Sequence, residues 1–145
     1  MGLKLAPLVI FSVFCAAVFA RADMHSVAVK AGEAASYAEE AYRLAKKAYK
    51  AGSTEQAKSL SYQAMIASQN AKSAANSAQA QAGIASDAAS KAGEAALYAG
   101  NAYDYAKFAS KAATLDKIRY YAGKAMRAAE MAGSSAQAAG TTTAE

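Results

Sequence analysis

From Lys30 onward alanine recurs at alternating steps of three and four, at Ala31, Ala34, Ala38, Ala41, Ala45 and Ala48. That spacing lays all six on one stripe of a helix, the a and d positions of a heptad. The opposite face is polar (Glu33, Ser36, Glu39, Glu40, Arg43, Lys46, Lys47, Lys50), and Glu39 and Arg43 form a favourable i,i+4 pair. Early acids and late bases also suit the dipole of this helix. It is expected to stop at Ala51-Gly52-Ser53-Thr54, with Gly52 closing it in the left-handed conformation. Ser53 then caps a second helix, with Gln56 at its third position completing a capping box. That helix carries Ala57, Leu60, Ala64, Ala67, Ala71, Ala74 and Ala78 on its apolar stripe.

The pattern then repeats at an offset of 61 residues. Lys30-Ala31-Gly32-Glu33-Ala34-Ala35 returns as Lys91-Ala92-Gly93-Glu94-Ala95-Ala96, and Tyr37, Tyr42, Lys46, Lys50, Met65 and Ser73 return as Tyr98, Tyr103, Lys107, Lys111, Met126 and Ser134. Between 30–78 and 91–139, 22 of 49 positions are identical, and nine of the matches are not alanine. Alanine matches come cheaply in this composition; the other nine carry the duplication. The second copy has its stripe at Ala92, Ala95, Ala99, Ala102, Ala106 and Ala109, then at Ala122, Ala125, Ala129, Ala132, Ala136 and Ala139. Thr114 takes the cap position with Asp116 in the first turn, although Gly52 is replaced by Ala113. Ser26 and Asp87 stand where the first helix of each copy would be capped.

Gly83 and polar neighbours mark a break between the copies at Gln79 to Ser86, yet alanines continue at sevens from 57 through 113 without losing phase. The expected fold is therefore all-α: two tandem alanine-rich helical hairpins forming either an antiparallel four-helix bundle or, with the joint continuous, an extended coiled coil.

The N-terminus changes which residues count. Lys4, the apolar run Leu8 to Phe19, and the small residues Ala20 and Ala22 flanking Arg21 read as a secretory signal peptide cut after Ala22. The run is shorter than the roughly 20 residues a membrane span needs. The expected organisation is a signal peptide at 1–22, a helical domain at 23–139 and a flexible tail at 140–145. Cys15 and Pro7 leave with the peptide, so the secreted chain has no disulfide. The remaining 123 residues include 39 alanines and carry a net charge of +3. The bases look interleaved with Glu39, Glu40, Glu94 and Asp104, which gives no ground for nucleic-acid binding.

Catalytic equipment is sparse: one histidine, no cysteine after processing, and serines without a nucleophile-elbow motif. The chain is expected to be no enzyme and to need no cofactor. Cleavage after Ala22 would expose Asp23-Met24-His25, whose amine, two amides and imidazole suit square-planar Cu(II) or Ni(II); the plainer assignment of His25 is a residue preceding a helix cap. Tyrosine is the notable side chain. Tyr37, Tyr42, Tyr49, Tyr98, Tyr103, Tyr105, Tyr120 and Tyr121 either cover the alanine stripe with amphipathic rings or serve as oxidative cross-linking sites, several lying beside lysines.

Alanine at both a and d over most of the secreted chain resembles the coiled-coil silk proteins of bees and ants, which fill their core positions the same way. The resemblance implies a secreted structural or assembly protein of an extracellular material (silk, secretion, egg covering, cuticle or shell). Its expected partners are further copies of itself or other matrix proteins. The short turns and the duplication depart from a long continuous rod. The rival is a soluble bundle that binds lipid, a membrane surface or a protein partner through Met65, Ile66, Phe108, Met126 and Met131. Ice binding lacks the regular threonines it would need, since Thr54, Thr114 and 141–143 are the only ones.

Overall fold

A computed structural model describes the backbone of residues 6–83 and 86–142, with side chains from Met24 onward. The expected signal peptide, with Pro7 and Cys15, lies outside the residues whose side chains are described. Four helices follow in order: α1 (Ala6–Lys50), α2 (Thr54–Ala82), α3 (Asp87–Lys111) and α4 (Leu115–Thr141). Each packs against its neighbours in sequence, and α4 closes the ring against α1; the diagonal pairs barely touch. The molecule is an antiparallel four-helix bundle built from two hairpins, and no described helix is long and apolar enough to cross a membrane.

The core is built in layers, one small residue from each helix. Ala31, Ala78, Ala92 and Ala139 form one layer; Ala38, Ala71, Ala99 and Ala132 form another. Among the described residues, thirty of the thirty-three buried apolar side chains are alanine, the others being Val27, Leu44 and Ile118. Side chains this short let the helix axes approach to about 8 Å, the low end of the usual range. Each buried methyl contributes only about 0.8 kcal/mol. Alanine offsets this by losing no side-chain entropy and by having the highest helix propensity.

The two hairpin turns have one geometry. In the first, Ala51 N–H donates to Ala48 O at 3.3 Å and Ala57 N–H to Ser53 O at 3.0 Å; in the second, Ala112 donates to Ala109 O at 3.2 Å and Ile118 to Thr114 O at 3.0 Å. Ser53 Oγ accepts from Gln56 N–H and Thr114 Oγ1 from Lys117 N–H. Gly52 is not left-handed, contrary to expectation; Gly83 is the only described glycine with positive φ. This explains why Ala113 can replace Gly52 with the turn unchanged.

The joint between copies is a true break. Gly83 at φ 77°, ψ 151° occupies a region that essentially only glycine tolerates. Ser86, not Asp87, caps α3: its Oγ accepts from Ala89 N–H at 3.1 Å while donating to Ala82 O at 2.8 Å, so one hydroxyl serves both helix ends. The extended coiled coil is thereby excluded. Ser26 is no cap either, because α1 runs through it; its hydroxyl instead donates to Gln81 Oε1 at 2.7 Å. At the other end α4 continues through Gly140 to Thr141, into the expected tail, with Thr142 N–H donating to Ala138 O.

Candidate functional site

The seam alanines of α1 (31, 34, 38, 41, 45, 48) and of α3 (92, 95, 99, 102, 106, 109) are all buried to 2% exposure or less. They are interior packing, so chemistry has to be sought on the surface. Duplication extends to that surface. Lys30–Glu33 and Lys91–Glu94 form matching ion pairs, and Lys46 sits 5.4 Å from the Tyr42 ring centroid as Lys107 sits 5.7 Å from that of Tyr103.

The copies diverge most at the turn end of the second hairpin. Copy one has Leu44, Lys47, Ser59, Leu60 and Gln63 where copy two has Tyr105, Phe108, Tyr120, Tyr121 and Lys124. The fold brings this second set together across α3 and α4. Phe108 and Tyr121 lie 5.5 Å apart by centroids, and Tyr120 meets Tyr121 edge-on at 5.2 Å. Lys124 Nζ lies 4.6 Å from the Tyr120 ring centroid and 5.5 Å from that of Tyr105. Hydrogen bonding to the Tyr120 side chain raises the Lys124 pKa above its ordinary value. Arg119 reaches across to the first hairpin turn and donates to Ala51 O at 3.1 Å, tying one copy to the other. Phe108 and Tyr120 remain more than half exposed. The cluster could be seen in sequence only as a set of departures from the repeat.

The other tyrosines scatter. Tyr37 and Tyr49 are exposed, whereas Tyr42, Tyr98 and Tyr103 are half-buried along the bundle. The Tyr49 ring packs beside Gly123 of α4. The apolar residues considered for ligand binding are not gathered on one face. Met65 and Ile66 border an open groove between α2 and α3 with Lys72, Gly100 and Tyr103, whereas Met131 is exposed on α4, diagonal to α2. Met126 packs partly buried against the core.

Of the residues considered for metal, Asp23 has no described side chain, and Met24 and His25 are exposed along α1. The helical backbone engages the amides a square-planar site needs, so such a site would form only at a cut N-terminus. Among the described residues no group of three His, Cys, Asp or Glu side chains is placed to hold a metal ion. Comparison with protein-family models, curated proteins and solved structures finds no match to this chain.

Proposed function

We propose that the chain is a secreted, non-enzymatic structural or assembly protein of an extracellular material, acting through its alanine-layered bundle and its surface tyrosines. The observation that carries this reading is the division of labour among side chains. Nearly every buried apolar position is alanine, while Phe108, Tyr120, Tyr49 and Tyr62 stand at the surface. A core of methyl groups leaves little room for a ligand and gives the isolated bundle modest stability. Association that covers the exposed rings adds to it. Exposed tyrosines beside lysines also suit later covalent cross-linking.

A binding protein is the second reading, favoured by the α2–α3 groove with Met65 and Ile66 on its rim. Sedimentation of residues 23–145 over a wide concentration range separates the two. A mass that grows with concentration supports assembly. A monomer at every concentration removes that reading and turns attention to the groove.

A further inference from the structure

The antiparallel fold gathers bases toward the turn end. On the turn side of the layer of Ala38, Ala71, Ala99 and Ala132 stand eleven Lys and Arg against six Asp and Glu, a net charge of +5. The described residues on the joint side carry three of each. Nor is the excess spread evenly around the bundle. Along α4, Lys117, Tyr120, Lys124 and Arg127 follow at steps of three and four, so they form one stripe, and all four are exposed. Phe108 of α3, also exposed, borders it through Tyr121, which packs on Phe108 and meets Tyr120 edge-on. Nearby acids are directed elsewhere. Glu130 lines the groove between α4 and α1, and Asp104 lines the one between α3 and α2. Asp116, beside Lys117, lies in the first turn of α4 and suits its positive pole. None of the three cations of the stripe pairs with a carboxylate, since both ion pairs among the described residues lie on the joint side.

Copy one serves as an internal control. At the positions matching this stripe it has Gln56, Ser59, Gln63 and Ile66, with Lys47 in place of Phe108. The two hairpins share their layers and turns, so bundle packing does not call for cations at these positions. Helix stability does not either, because Lys117 lies near the positive pole of α4. What the stripe suits is an extended anion. By helical rise, Lys117 and Lys124 lie about 10 Å apart along the axis, with Arg127 about 5 Å further on. Negative groups recurring along a polymer can meet these cations in turn, and release of the polymer's counterions favours the contact. A sugar ring adds a face of C–H groups that packs on Tyr120 and Phe108; a string of phosphates has none.

We propose that this stripe binds an acidic polysaccharide, one carrying sulfate or carboxylate groups along its length. The inference rests on the assembly reading and names a partner within the extracellular material. A polymer laid past several copies holds them close, which adds to association through the exposed rings. A bilayer is a poorer fit. The turns that lead the basic end are Ala51-Gly52-Ser53 and Ala112-Ala113-Thr114, which offer no large apolar side chain to insert. Anionic lipid also belongs to the cytoplasmic leaflet, away from a secreted protein. Nucleic acid favours planar, bidentate arginine, whereas two of the three cations here are lysine.

The test uses residues 23–145, whose described core begins at Val27, and dextran sulfate, with uncharged dextran and inorganic polyphosphate as comparisons. Dextran sulfate should bind more tightly than polyphosphate and weaken as salt rises; dextran should not bind. Two variants then remove three exposed charges each: Lys117→Gln, Lys124→Gln and Arg127→Gln on the stripe, and Lys46→Gln, Lys47→Gln and Lys50→Gln on α1. Helicity by circular dichroism should be unchanged in both. The first should lose about tenfold in affinity and most of its salt dependence, the second no more than about twofold. Tyr120→Ser, which installs the residue of copy one, should weaken dextran sulfate binding and leave polyphosphate binding as it was. Equal losses in the two charge variants, or polyphosphate bound as tightly as dextran sulfate, overturn the proposal. So does tighter binding to a single-stranded oligonucleotide or to phosphatidylserine vesicles, which assigns the stripe to nucleic acid or to a membrane. Sedimentation of the free chain judges the assembly reading separately. A chain that self-associates but ignores dextran sulfate loses the stripe proposal alone; a monomer that binds it through the stripe loses the assembly reading alone.

Discussion

The two hairpins share an interior and differ in what they present. Layer by layer, copy one supplies Ala31, Ala38, Ala71 and Ala78 where copy two supplies Ala92, Ala99, Ala132 and Ala139. Backbones packed this closely accept almost nothing larger than a methyl, so the shared interior is set by distance. At the surface and the turn end no such limit applies. There Ala57 has become Ile118, Lys47 has become Phe108, and Ser59-Leu60 has become Tyr120-Tyr121. Both hairpins expose rings and cations, but copy two gathers Phe108, Tyr120 and Tyr121 with Lys124 into one cluster. A duplicated bundle can thus acquire a specialised face without disturbing its core, provided the change lies outside the layers.

Ile118 is where that comparison is most easily broken. It is fully buried and the largest such side chain, packed at the turn end with Ala51, Ala57 and Ala109. Ile118→Ala gives copy two the residue of copy one and should cost about 2–5 kcal/mol, read as a lower urea midpoint. A cost well under 1 kcal/mol would mean the turn end collapses around the vacancy and that Ile118 does not support the aromatic face above it. The next largest effect concerns the layers. Ala38→Leu and Ala99→Leu place the same intruder in one layer from opposite copies. Each should destabilise by about 1–3 kcal/mol through overpacking. Unequal losses, differing by more than about 1 kcal/mol, would show that the copies are not equivalent where the interior looks symmetric.

Ser61 offers a gain. Its hydroxyl is buried with no hydrogen-bond partner, whereas Ser68, also buried, donates to Ala64 O at 2.8 Å. Copy two has Ala122 and Ala129 at these positions. An unsatisfied buried hydroxyl costs about 1–3 kcal/mol. Ser61→Ala should therefore raise stability by about 1 kcal/mol, a melting shift of several degrees for a domain of this size. Ser68→Ala should change little, and Ala122→Ser should impose the Ser61 penalty on copy two. A Ser61→Ala variant no more stable than its parent would mean that water reaches the hydroxyl.

Much of the fold was legible in the sequence, and the parts that were not share one cause. Steps of three and four identify which face of a helix is buried, and the stripe at Ala31 through Ala48 is buried accordingly. Local hydroxyl chemistry likewise identified Ser53 and Thr114 as caps. Phase, however, says nothing about whether the chain continues. Alanines stay at sevens through the joint, yet Gly83 turns the backbone there, and Ser86 holds both helix ends. Gly52 appeared to be needed for its left-handed freedom until the matching turn with Ala113 showed the same hydrogen bonds. The gathering of bases toward the turn end was the least legible feature. Arg43 to Lys50 and Lys117 to Arg127 are far apart in sequence, and each lies near acids along the chain. Only the antiparallel fold-back places them at one end.

The smallest expected effect tests whether symmetry persists in surface contacts. Lys46 over Tyr42 and Lys107 over Tyr103 are the same pair in two copies, at 5.4 and 5.7 Å. Exposed cation–π contacts contribute about 0.5–1 kcal/mol. Removing either lysine also relieves repulsion at the crowded basic end, which opposes the loss and would disguise it at low salt. At about 1 M salt the Debye length falls to about 3 Å, and that relief is largely screened. Under those conditions Lys46→Met and Lys107→Met should each lower stability by about 0.5 kcal/mol and match one another. Lys124→Met has no counterpart in copy one, where Gln63 stands, and removes a cation held between two rings. Its loss at high salt should exceed that of either symmetric variant. If all three are equal, the second ring adds nothing, and the aromatic face of copy two is held by ring-to-ring packing alone.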